Sequence, residues 1–241
     1  MSDSSIMDRI EIVLVEPKES GNIGSTCRAM KTMGLSRLTI VGDAVYDERI
    51  IRTFAVHSQE IWQRHRRVES LENALQDSVL AAGTSRRRGK KRKYFFVSPE
   101  QLASRVHSIG EGTVSVVFGR EATGLTDEEL SLCHLCVEIN SSPEQGSLNL
   151  AQAVQVISYV LFNAEREETR FRPIDENRIR QVTDIIDESL KSIDYYKGTE
   201  RPLVRSYFHD IIGRASLDEK EAQRMEKIFR KIAKLKIHKG R

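Results

Sequence analysis

Short runs of aliphatic and β-branched residues recur along the chain at 11–15 (EIVLV), 37–41 (RLTIV), 78–82 (SVLAA), 113–118 (TVSVVF) and 134–139 (HLCVEI). Continuous apolar runs of this length, bounded by turn residues, are the pattern of strands buried on both faces. Between them apolar positions return at helical spacing: 22–33, closed by Gly34, then 46–56 and 70–76. Ser98-Pro99-Glu100 opens a helix with proline in its first turn, and Thr126-Asp127-Glu128-Glu129 opens a short one with acids at its positive end. A long apolar helix runs from Ser147 to about residue 166. Strands alternating with helices predict an α/β fold on a parallel sheet. The tail breaks this rhythm. A charged stretch ends at Pro173, and beyond it only helical spacing appears, at 175–192, 202–213 and 217 to about 235. The organisation expected is a domain over 1–167, a linker over 168–174 and a small all-helical C-terminal extension over 175–241.

Composition narrows the class. Of 241 residues, 39% are hydrophobic and 30% charged, which fits a folded chain with a well-solvated surface. No run of eighteen apolar residues occurs, so no membrane span is expected, and the polar first nine residues do not read as a signal peptide. Three cysteines suit a reducing compartment, and a cytoplasmic location is expected. The net charge of +3 is modest, but seven cations are packed into the eight residues 86–93. Such a run is commonly a solvated loop; placed directly after Thr84-Ser85 it is better read as a phosphate-neutralising segment, with Arg87, Arg88, Lys90, Lys91, Arg92 and Lys93 facing nucleic acid. Lys227, Arg230, Lys231, Lys234, Lys236, Lys239 and Arg241 crowd the last helix, where cations also suit the helix dipole.

Candidate chemistry gathers where strands end. Three of them run into small or glycine-rich turns: Gly83-Thr84-Ser85, Gly119-Arg120-Glu121-Ala122-Thr123-Gly124-Leu125, and the loop from Ile139 to Ser147-Leu148-Asn149-Leu150. Such turns hold polar ligands through backbone groups at one edge of a parallel sheet. There is no P-loop and no GxGxxG after the first strand, against an NTPase or an ordinary dinucleotide enzyme. Cys133-His134-Leu135-Cys136 has no second ligand pair, so no metal is expected. Trp62 and the Tyr195-Tyr196 pair could stack on bases, although packing is the commoner use.

Together with Asn22-Ile23-Gly24-Ser25-Thr26-Cys27-Arg28, these loops resemble, in order and spacing, the motifs of the SPOUT superfamily, and within it the TrmH/TrmJ group of RNA 2'-O-ribose methyltransferases. Periodicity alone would fit a Rossmann-like sheet equally well; the resemblance implies a sheet with a C-terminal trefoil knot. It also implies a homodimer with sites at the subunit interface, S-adenosyl-L-methionine as cofactor, and RNA as substrate, most closely tRNA at anticodon-loop position 32. By motif, the cofactor contacts would be Thr84, Ser85, Arg86, Gly119, Ile139, Gly146, Ser147 and Leu148. The catalytic set would be Arg28, Glu121, Ser147 and Asn149, with Asn22 and Arg28 also meeting RNA.

A guanidinium is a poor proton acceptor. Arg28 is therefore read as a binder of the substrate phosphate or nascent alkoxide, not as the base. Asn22 reads as a helix cap or an RNA contact, and Glu121 as an orienter of Arg28 or a loop-holding group. Ser147 is favoured for cofactor or substrate contact, and Asn149 for holding its loop. The rival readings are the same chemistry on rRNA, a non-catalytic RNA-binding protein, and a nucleotide-binding small-molecule enzyme.

Overall fold

The computed structural model describes residues 6–86, 96–142, 144, 146–164 and 172–234. All five expected strands form: β1 (Ile10–Val15), β2 (Arg37–Val41), β4 (Ser78–Thr84), β6 (Thr113–Phe118) and β7 (Leu135–Val137). Two short ones join them, β3 (Arg66–Val68) and β5 (Phe96–Val97), giving a seven-stranded sheet in the order β3-β2-β1-β6-β4-β7-β5. Every pairing is parallel, with Leu14 opposite both Ile40 and Phe118 in the central register. β3 carries no apolar pattern because it is an edge strand. Its arginines face polar partners, the Arg66 Nε donating to the Thr39 hydroxyl at 3.2 Å and Arg67 to the Ala44 carbonyl at 2.8 Å.

Alternation along β1 divides the core. Ile10, Ile12 and Leu14 face one layer, while Val13 and Val15 face the other. The first layer holds α1 (Ser20–Thr32), α2 (Glu48–Ala55), α3 (Gln59–Gln63), α5 (Pro99–Ser108) and α7 (Leu150–Asn163); the second holds α4 (Leu71–Leu75) and α6 (Asp127–Ser131). Helix starts follow their caps. Ser98 and Thr126 each close a capping box, as their sequences foretell. Two expectations are corrected. The first helix begins at Ser20 with Glu19 as its cap, so Asn22 lies inside it and does not cap it. The long helix begins at Leu150 with Asn149 as its cap, so Ser147 belongs to the preceding loop. Trp62 is buried and stacks on His65 with centroids 4.1 Å apart, so it packs and is not a free base platform.

The tail forms α8 (Glu176–Ser192), α9 (Arg201–Ala215) and α10 (Glu219–Ile232) around its own core of Ile179, Val182, Ile186, Leu190, Ile212 and Ala222. It meets the sheet through a polar joint. His134, just before β7 and not within it, accepts the Ala81 amide on Nδ1 at 3.1 Å, which leaves its proton on Nε2 for Glu176 at 2.9 Å. Gly213 of α9 lies on the His134 ring so closely that a Cβ there would stand 2.7 Å from Cδ2. This is the use the structure finds for the Cys-x-x-Cys segment, whose thiols are pushed up by burial, Cys136 to about 12.

Glu176 also takes hydrogen bonds from Arg180 and His209. Burial alone would push His209 down, but the Asp210 carboxylate 3.8 Å away and the hydrogen bond to Glu176 at 3.0 Å outweigh it and raise the ring from 6.5 to about 9. A raised folded value means the stabilisation is complete below the unfolded value and fades as pH climbs through the folded one. Unfolding free energy should therefore drop by about 3 kcal/mol between roughly pH 6.5 and 9, and His209→Gln should flatten that part of a denaturant-midpoint profile.

Candidate active site

The C-terminal ends of β4, β6 and β7 open on one cavity of about 280 Å³. Thr84, Ser85, Arg86, Gly119, Ile139, Gly146, Ser147 and Leu148 all line it, so the three strand-end loops do converge as their spacing predicts. Phe118, Leu125, Val137, Leu150 and Ala153 add apolar wall outside the expected contacts; Leu125 and Leu150 stood within the quoted loops, and for Phe118, Val137 and Ala153 the apolar pattern of the strands and α7 was the available signal. This is a small, half-open slot of mixed polar and apolar lining, near the lower end of ligand-pocket size.

Each loop has a local reason for its shape. Loop 119–125 folds back on itself through an Arg120–Gly124 bridge, with the Gly124 amide 2.8 Å from the Arg120 carbonyl and Gly124 at φ 70°. Gly119 has no room for a side chain, since a Cβ would fall 2.1 Å from the Gly124 carbonyl carbon. Its glycine serves the loop's closure before any ligand. On the opposite wall the Ser141 hydroxyl donates to the Gly146 carbonyl at 2.7 Å, and Arg86 lies across Gly146, its Nη1 2.4 Å from where a Cβ would sit. The Thr84 hydroxyl donates to the Val117 carbonyl at 2.9 Å, so its first duty is to tie β4 to β6.

Beside the cavity a hydrogen-bond relay joins the three motifs. Glu121 accepts from the amides of Lys18 (2.9 Å) and Glu19 (3.1 Å) and from Asn22 Nδ2 (2.9 Å). Asn22 Oδ1 in turn accepts from Asn149 Nδ2 at 2.8 Å, and Asn149 Oδ1 caps α7 through the Ala151 amide at 2.9 Å. Burial would raise the Glu121 carboxyl, but the donors from Asn22, Lys18 and Glu19 prevail and hold it below the usual carboxylate range. The anion sits at the start of α1, where the helix dipole also favours it. Glu121 thus binds the helix that carries Arg28, and not Arg28 itself.

Arg28 is exposed on α1, outside the cavity lining, with no ion pair or hydrogen bond among the described residues. Arg120 was absent from the motif-derived set although it stands between two of its members. It makes a two-pronged pair with Glu129 (2.9 and 3.1 Å) and a further bond to Glu16 at 3.0 Å. Those carboxylates, Glu129 first, raise its pKa further. Among the charged residues lining the cavity, Arg120 and Glu121 are thus engaged, while Arg86 is exposed and has no ion pair among the described residues. Arg87, Arg88, Lys90, Lys91, Arg92 and Lys93 lie outside the described residues, as do Lys236, Lys239 and Arg241.

Residues 9–159 match the model of the SpoU rRNA Methylase family. The tRNA (cytidine/uridine-2'-O-)-methyltransferase TrmJ of Pectobacterium atrosepticum is 32% identical over 95% of this chain and 98% of its own. The tRNA (cytidine/uridine/adenosine-2'-O-)-methyltransferase TrmJ of Pseudomonas aeruginosa is 36% identical over 85% of this chain and 81% of its own. Among solved structures, TrmJ from Z. mobilis ZM4 shares the fold with a TM-score of 0.74 at 24% identity, covering 93% of this chain and 99% of that one. The family match runs through every strand-end loop that builds the cavity, and by that match this chain belongs to the SpoU rRNA methylase family.

Proposed function

We propose that the protein is an S-adenosyl-L-methionine-dependent tRNA 2'-O-ribose methyltransferase, acting in the anticodon loop at position 32. The observation that carries this reading is the cavity: three loops far apart in sequence meet there, beside a relay that fixes the helix bearing Arg28. Its walls fit the cofactor, with apolar surface from Leu125, Val137 and Leu150 for a purine and the polar strand-end loops around it. When bound, S-adenosylmethionine supplies a methyl group on a sulfonium, ready for attack by a ribose oxygen. Arg86 is the cation available at the rim for the carboxylate of the cofactor's methionine end. Arg86→Gln should raise KM for S-adenosylmethionine about tenfold with kcat little changed, and initial rates over a cofactor titration check this.

The chain's own part is to place the ribose and ease deprotonation. Arg28 would hold the substrate phosphate and the oxyanion that grows as the 2'-hydroxyl loses its proton to solvent. Because Arg28 stands apart from its own chain's cavity, the reading that fits is a homodimer in which each Arg28 serves the partner's cavity. Tyr159 and Phe162, exposed on α7, give that contact an apolar surface. The domain division at 167 and 175 and a cytoplasmic setting belong to the same reading. So does a trefoil-knotted path, supported by α7 returning from β7 to pack on α1 and α5.

Purified protein given labelled S-adenosylmethionine with unmodified tRNA and rRNA should place label on a tRNA anticodon-loop ribose. Label confined to rRNA would replace the substrate, and RNA binding without label would leave a binding module.

A further inference from the structure

We propose that Arg120 is a positioning residue that fixes the cofactor wall against the strand-to-helix turn carrying the first motif; this rests on the methyltransferase reading above. Loop 119–125 is internally closed, by the missing side chain at Gly119 and the Arg120–Gly124 bridge, so it moves as one piece. Two adjacent side chains then decide where that piece sits. Glu121 holds it to the backbone of Lys18 and Glu19. Arg120 holds it to Glu16 at the end of β1 and to Glu129 of α6.

Both partners of Arg120 sit where the chain changes direction or starts a helix. Glu129 closes the α6 capping box through the Thr126 amide at 2.8 Å, so the guanidinium reads the position of α6 directly. Glu16 stands at φ 43°, a left-handed conformation that a side chain with a Cβ seldom adopts, and it precedes Pro17 at the turn into α1. The Arg120 hydrogen bond holds the Glu16 carboxyl below its ordinary range. Side-chain exposure is 18% for Arg120 and 17% for Glu129, so this fork is shielded enough for its geometry to matter. Removing the cation unties the loop from both the turn and α6 and leaves the half-exposed Glu16 and the shielded Glu129 carboxylates facing the vacated space, so the loop loses its fixed seat. The loop's inner surface is the cavity wall, so the consequence falls on cofactor binding.

The test compares Arg120→Gln, Arg120→Lys and Glu129→Gln with wild type, using S-adenosylhomocysteine as the probe in calorimetry and tRNA methylation for kinetics. Arg120→Gln is expected to weaken the probe at least tenfold and raise KM for S-adenosylmethionine to match. kcat should stay within about threefold, with tRNA affinity in the absence of cofactor unchanged. Lysine should restore part of the loss, and Glu129→Gln should fall in the same direction, with the Arg120→Gln/Glu129→Gln double variant no worse than Arg120→Gln alone. If Arg120→Gln fails to fold, Glu129→Gln decides, since it keeps the Glu16 pair. Probe affinity and KM within twofold of wild type in the decisive variant would overturn the proposal. So would equal losses in kcat and thermal midpoint without a KM change. Wild-type protein that neither binds the probe nor methylates RNA would instead overturn the methyltransferase reading.

Discussion

Arg28→Ala should abolish methyl transfer while leaving S-adenosylhomocysteine affinity within about twofold of wild type. The expected fall in kcat is on the order of a thousandfold, ~4 kcal/mol of transition-state stabilisation, the scale of losing one pre-aligned donor to a developing oxyanion. The structure supplies the pre-alignment. α1 is fixed at its start by Glu121 and Asn22, and along its length by Gly24, where a Cβ would stand 2.4 Å from the Ile51 carbonyl oxygen of α2. The guanidinium is thus carried on an immobile helix yet is itself exposed and uncommitted among the described residues. Arg28→Lys should recover little, because an ammonium lacks the planar fork that reads two oxygens at once. Single-turnover rates at saturating cofactor measure this directly. An alanine variant retaining a tenth of the wild-type rate would remove Arg28 from the chemistry.

Gly119→Ala should be the most damaging small change in the cavity. An added methyl would lie 2.1 Å from the Gly124 carbonyl carbon and 2.2 Å from the Leu125 amide, both backbone atoms that no rotamer change can move aside. Relief requires opening the 119–125 loop, which breaks the Arg120–Gly124 bridge and shifts Glu121 on the start of α1. Overpacking of this kind costs about 3 kcal/mol, and cofactor binding should be lost together with the thermal midpoint. Gly124→Ala is the informative control. Its φ of 70° disfavours a side chain, but open space surrounds it, so its loss should be smaller, about 1 kcal/mol. A Gly119→Ala protein that melts like wild type and binds cofactor normally would mean the loop is looser than its contacts imply.

What could be read from the chain beforehand was whatever depends on local pattern. The central strands, the proline-opened α5 and the boxed α6 are written in runs, spacings and caps. β3 was hidden because an edge strand of Arg66-Arg67-Val68 satisfies its hydrogen bonds without burying alternate residues. The cavity residues were legible because each follows a strand end, and a parallel sheet must bring those ends together. The roles of Asn22 and Glu121 were not, since a shared hydrogen bond between residues 99 positions apart leaves no trace in either neighbourhood. Arg120 shows the same limit. Its two carboxylate partners lie 104 and 9 residues away, and only the folded chain pairs them.

The joint between sheet and tail has an evolutionary side. His134 is locked to Ala81 by one ring nitrogen and to Glu176 by the other, and its face is covered by the bare backbone of Gly213. A change at any one of the three should therefore disturb the other two. A shorter side chain at 134 takes from the buried Glu176 carboxylate one of its three side-chain partners, and any side chain at 213 meets the ring. Among descendants of this architecture, positions 134, 176 and 213 should therefore be inherited as a set. Where the set is replaced, the tail should be found seated at a different angle or gone.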